Sequence, residues 1–207
     1  MSQPTTCTTQ PATCQAFANP APLGLAGFGM TTILLNLHNA CPKTMALNAA
    51  IVAMGIFYGG IAQIIAGVLE FRKNNTFGLL AFTSYGFFWL TLVAIWTLPA
   101  IGAKLGIAAF AAPSGDFMGA FLTVWGIFSF FLTIGAWRGS WTLRIVFVLV
   151  TILFALLAIH KFLGATELSE TIGRIAGFEG IVCGAAALYL SLAEVLAEKY
   201  GRSVLPH

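Results

Sequence analysis

The chain has 207 residues, 58% of them hydrophobic and 8% charged, with a net charge of +3 and a mean hydropathy of +0.90. A soluble domain carries roughly 25% charged residues, so a water-soluble globule is excluded. No basic run exists along the chain, which leaves no case for nucleic acid as a partner.

Residues 1–16, MSQPTTCTTQPATCQA, are polar and rich in Thr, Gln and Pro. Such a segment has too little apolar surface to fold and lacks the basic start of a signal peptide. It reads as a disordered tail ahead of a first span that stays in the mature protein. A span needs about 20 apolar residues. The tracts Pro20–Leu37, Ala46–Leu69, Phe77–Leu98, Phe117–Trp137, Leu143–Phe162 and Ile172–Ala197 answer to that, within a transmembrane domain at 17–200. A short C-terminal tail follows at 201–207. The sixth tract is longer than a span requires, so it tilts or extends past the bilayer. Nothing alternates polar and apolar as a membrane barrel would. The predicted fold class is therefore all-α integral membrane, a six-helix bundle. Loop charge places both termini in the cytoplasm, with Arg72, Lys73, Arg138, Arg144, Lys199 and Arg202 on that side against Lys43, Lys104, Lys161 and Arg174 opposite.

The first span opens on Asn19-Pro20-Ala21-Pro22. Asn is a favoured N-cap and proline fits the first helical turn, so one reading is simply a well-made helix start. The other is a helix N-terminus whose free N–H groups face an anion. Glycines at Gly24, Gly27 and Gly29, and the Gly-x-x-x-Gly pairs Gly55/Gly59, Gly115/Gly119, Gly173/Gly177 and Gly180/Gly184, let helices approach closely in lipid. Neutral polar residues inside spans are Thr31, Thr32, Asn36, Tyr58, Gln63, Thr83, Ser84, Tyr85 and Thr91. They either bond helix to helix or line a path for a small polar solute.

Glu179 is a charge inside the sixth tract, where insertion costs roughly 2.5–3.5 kcal/mol. It is protonated, paired or facing water, and is a candidate proton site; Arg174 lies within loose reach. Glu70, with Arg72 and Lys73 close by, reads as an interfacial charge cluster. Cys7, Cys14, Cys41 and Cys183 have no metal-ligand spacing and read as unlinked thiols. His38, His160 and His207 form no metal pair, and no nucleophile, phosphate loop or carboxylate cluster is evident. The pattern therefore favours passage over catalysis, with no metal or cofactor expected. Phe77, Phe82, Tyr85, Phe87, Phe88 and Trp89 load the third span with aromatics; one facing a narrow path would form an apolar gate.

The stretch NPAPLGL at 19–25 resembles the signature of the acetate uptake transporter family, the succinate–acetate permeases. GFGMTTILLNLHN at 27–39, AMGIFYGGIAQIIAGVLEF at 53–71, NTFGLLAFTSYGFFWLTLVAI at 75–95 and GRSVLP at 201–206 extend the resemblance over nearly the whole chain beyond the tail. The resemblance implies six helices per subunit, a homohexamer in the plasma or inner membrane, and one path per subunit. It implies acetate and other small monocarboxylates, with lactate or succinate in some members, and protons as a co-substrate or channel-like passage. The family's constriction falls on Phe28, Tyr85 and Val150. Val150 stands where the family pattern has leucine, which implies a slightly wider gate and a broader substrate range. Asn19, Leu23, Gly24, Thr31, Asn36, Gln63 and Ala187 are the implied substrate-binding and path-lining residues. With no fixed positive charge along the spans, passage as the neutral acid, or of the anion with a proton, is expected. Other classes stay open: a passive channel for small solutes, or a membrane acetate sensor that binds without transport.

Overall fold

The computed structural model describes residues 18–207; the polar tail at 1–16, with Cys7 and Cys14, lies outside them. Six long helices make up the bundle: α1 (Ala21–Ala40), α2 (Ala49–Lys73), α3 (Thr76–Leu105), α4 (Gly115–Ala136), α5 (Trp141–Phe162) and α6 (Glu167–Tyr200). No strand occurs among the described residues.

The helix ends follow local chemistry. Asn48, Asn75, Ser114, Ser140 and Thr166 each accept a backbone N–H from the first turn of the helix they precede, contacts worth typically about 1 kcal/mol each. Gly106 and Gly201 close α3 and α6 with φ of 68° and 65°, a conformation that glycine adopts without a Cβ penalty. α3 runs through Pro99 to Leu105, well past the predicted boundary at Leu98. α6 begins at Glu167, ahead of the predicted Ile172, because Thr166 supplies the cap.

α2 through α6 are long and apolar enough to cross a bilayer. α1 has 20 residues, about 30 Å at 1.5 Å per residue, but Asn36, His38 and Asn39 lower its apolar character. Its place in the bundle accounts for this. α1 exposes only Leu23 and Met30 and packs its remaining length against α2 and α6, so its polar groups meet protein rather than lipid. A Cβ added to Gly29 would sit 2.6 Å from the Gly184 carbonyl, and one on Gly184 would sit 2.6 Å from the Gly29 carbonyl. α1 and α6 thus touch backbone to backbone, the close approach that small residues allow in a membrane.

α2 contains a π-helical turn at Phe57–Ala62, an insertion that locally re-aims side chains and is frequent at functional sites. Gln63 is the first residue after it. Glu70, expected in an interfacial cluster, is instead fully buried: its Oε2 accepts from the Asn75 side chain at 2.8 Å. Arg174 lies 3.9 Å from Glu170 on the exposed face of α6, one turn away, and not with Glu179. Cys41 is exposed and Cys183 buried, and both are free thiols.

Candidate functional site

Two cavities enter the bundle from its opposite ends and meet at the same side chains. The first, about 130 Å³, is lined by Leu25, Gln63, Asn75, Tyr85, Phe147 and Glu194 among others. The second, about 180 Å³, is lined by Asn36, His38, Trp89, Leu92, Trp96 and Lys161 among others. Phe28 and Val150 stand on the walls of both. One water needs only about 10–15 Å³ of such space, so each cavity has room for a small organic acid.

The divide between the cavities is apolar and rigid. The Phe28 and Tyr85 rings lie 5.7 Å apart, and Tyr85 also packs on Trp125, Phe128 and Phe147. Val150 is 2% exposed. Ser129 donates its only hydroxyl hydrogen to the Trp125 carbonyl at 2.8 Å. The 2.8 Å contact between Tyr85 and Ser129 therefore has the tyrosine O–H as donor. This fixes the ring, and it commits the Tyr85 proton away from the path. Ser129 was not singled out from sequence; its partner lies 44 residues away, beyond the reach of any local pattern.

The predicted lining residues fall in different places. Gln63 is 1% exposed, lines the first cavity, and its Oε1 has no hydrogen-bond partner. Asn36 is on the wall of the second, donating to the Thr32 carbonyl at 2.9 Å and accepting from Asn39 at 3.0 Å. Asn19 is not on the wall of the first cavity but bonds to Glu194, which is, and has both ends of its amide engaged. Its Oδ1 accepts from the Ala21 N–H at 3.2 Å and from Lys73 at 2.7 Å, and its Nδ2 donates to Glu194 at 2.8 Å. The start of α1 therefore already has a carboxylate beside it, supplied by α6. Gly24 packs against the Phe82 ring, which itself lines the first cavity. Thr31 is buried against α2, 3.5 Å from the Met54 carbonyl, and Ala187 is buried in the core. Leu23 is exposed on the outer surface of α1. Thr31, Ala187 and Leu23 are on the wall of neither cavity. Glu179 is on neither wall as well, and both its carboxyl oxygens are buried without a partner.

Glu194, Glu70 and Trp89 complete the site. Trp89 is 2% exposed, lines the second cavity and keeps its indole Nε1 without a partner. Glu194 had a readable signal: it falls on the same helical face as Ala187 and Ser191, seven and three residues earlier, and both are buried. Ser191 donates to the Pro22 carbonyl at 2.7 Å, which pins this face of α6 to the first turn of α1.

Comparison with known proteins finds relatives over nearly the whole chain. Residues 2–206 match the GPR1/FUN34/yaaH family. The succinate-acetate/proton symporter SatP of Escherichia coli K12 is 56% identical over 189 residues, which cover 91% of this chain and 94% of that protein. Acetate permease A of Emericella nidulans is 29% identical over 195 residues, 92% of this chain and 65% of the relative. A solved structure of the bacterial acetate channel SatP superposes with a TM-score of 0.84 at 55% identity, over 92% of this chain and 99% of that one.

Proposed function

The chain belongs to the GPR1/FUN34/yaaH family, and from that premise we propose that it moves acetate and other small carboxylates, with lactate and succinate among its candidate substrates, across the membrane it spans. It is a multi-pass membrane protein of the transport class, not an enzyme. The observation that supports the reading most strongly is the pair of cavities that abut at Phe28 and Val150 from opposite ends of the bundle. A path interrupted by one thin apolar layer lets a small acid through while hindering hydrated ions.

The barrier sets the form in which the substrate crosses. Phe28, Tyr85 and Val150 bring no positive charge to the divide, so a bare carboxylate is uncompensated there. The acid crosses neutral, or a proton travels with the anion. Glu179 is one place for such a proton; both its carboxyl oxygens are buried without a hydrogen-bond partner. The subunit works in a homohexamer in the plasma or inner membrane, with exposed apolar faces such as Phe117, Phe130, Phe131 and Ile134 on α4 covered by neighbours or lipid. Both termini lie in the cytoplasm, which puts the first cavity on that side.

Uptake of labelled acetate into vesicles that contain the purified protein tests the reading. Flux above that of protein-free vesicles is expected, and loss of proton dependence in Glu179→Gln would place the proton on Glu179. Flux equal to that of protein-free vesicles would refute transport.

A further inference from the structure

The two cavities differ in the hydrogen-bonding groups they leave unused. In the first, the Gln63 Oε1 acceptor is buried without a partner, and Glu194 brings a carboxyl to the same wall. Directly behind that wall lies Glu70, whose Oε1 is also buried and unpartnered; a Cβ on the cavity residue Gly78 would sit 3.0 Å from the Glu70 carboxyl carbon. Unpaired acceptors in a buried site call for a donor, because a missing bond there costs about 1–3 kcal/mol. A carboxylate offers only acceptors. A carboxylic acid offers an O–H.

We propose that Glu194 is the proton-exchange residue of the first cavity, passing a proton to and from the substrate carboxyl group there, with Gln63 Oε1 accepting the O–H of the neutral acid. The step rests on the transport reading above and assigns its proton to a residue on the path. For a substrate leaving the first cavity toward the constriction, the O–H bond of protonated Glu194 breaks and an O–H bond forms on a substrate carboxylate oxygen. Glu194 is left as the carboxylate and the substrate as the neutral acid. The reverse transfer serves a substrate arriving from the other side. No electrons are exchanged, and the aqueous mouth resupplies the proton.

The surroundings of Glu194 suit a group that changes charge. Asn19 Nδ2 donates to its Oε2 at 2.8 Å, and Lys73, which bonds to Asn19 Oδ1 at 2.7 Å, brings a positive charge to the carboxylate form. Lys73 and Glu70 from α2 and His207 from the C-terminal tail are the charged groups that act on it among the described residues. Glu179 is a less direct carrier, since it is on the wall of neither cavity.

The test is the initial rate of labelled acetate entry into vesicles between pH 5.5 and 7.5, with protein-free vesicles subtracted, for wild type, Glu194→Gln and Glu194→Asp. Gln is isosteric and still accepts from Asn19, so a purely structural role would leave the pH profile in place. The proposal expects the wild-type rate to fall toward about tenfold per pH unit at the alkaline end, as the protonated fraction of a carboxyl does above its pKa. It expects Glu194→Gln to lose at least about tenfold at pH 5.5 and to show a flat profile, and Glu194→Asp to retain a sloping one. Should the Gln variant fail to assemble by size-exclusion chromatography, Gln63→Leu is read instead; a several-fold lower rate is expected there, and an unchanged rate overturns the proposal. A wild-type profile in Glu194→Gln overturns it while leaving transport intact. No flux in wild type removes the transport reading itself.

Discussion

In and directly behind the wall of the first cavity lie the carboxyl and amide oxygens of Gln63, Glu70 and Glu194, and the Lys73 ammonium is held against Asn19. The second cavity presents donors: the unpartnered Trp89 Nε1 and the Lys161 ammonium, while the His38 ring spends its Nδ1–H on the Met45 carbonyl at 2.8 Å. Both cavities end on Phe28 and Val150. The contrast teaches that a symmetric-looking pair of apolar funnels can treat one solute in two protonation states. Donors suit a carboxylate, and acceptors suit the acid.

Several changes would break or sharpen this contrast. The largest effect is expected from Gly29→Leu, which drives a side chain into the Gly184 carbonyl that a Cβ would already approach to 2.6 Å. Overpacking costs typically about 1–3 kcal/mol, and here the obstacle is backbone, so loss of the assembled protein on size-exclusion chromatography is expected. Next, Lys161→Gln removes a cation from the second cavity. It should raise the apparent KM for acetate several-fold and weaken its dependence on ionic strength, with the pH profile unchanged, because screened attraction of an anion is what the ammonium supplies. Third, Trp89→Phe deletes an indole N–H that has no partner in the protein. A two- to five-fold rise in KM with thermal stability kept within about 1 kcal/mol is expected, since removing an unsatisfied buried donor relieves a cost. The smallest effect belongs to Ser129→Ala. Tyr85 then loses its acceptor at 2.8 Å, for about 1 kcal/mol of stability and a modest loss of selectivity against larger acids.

The helices are legible in the sequence because their apolar tracts are long and, Glu179 apart, charge lies toward their ends. Their ends were less so: Thr166 and Pro99 shift α6 and α3 outward from hydropathy boundaries through capping and through a proline the helix tolerates. The π turn in α2 left no periodic mark, although it precedes Gln63. At the site, Phe28, Tyr85 and Val150 came from resemblance, and Gln63 from being polar within a span. Glu70 stands beside Arg72 and Lys73 on the linear chain, which shows a charged cluster but not how deeply its carboxyl is buried. The fold instead turns its side chain inward to Asn75, five residues on. Glu194 lies on a buried helical face, but its role is hidden in the sequence because Asn19, its partner, and Lys73, which bonds to Asn19, are distant along the chain and meet it only in the bundle.

Substitution of Val150 by Phe tests most directly whether the substrate path of each subunit crosses between the cavities at Phe28 and Val150. Val150 lies on both cavity walls, so a larger side chain there adds bulk at the divide between them. In vesicles holding a variant that assembles like wild type, acetate flux reduced to the protein-free level is the predicted result. Flux equal to wild type would contradict the account and place the route elsewhere, such as between subunits.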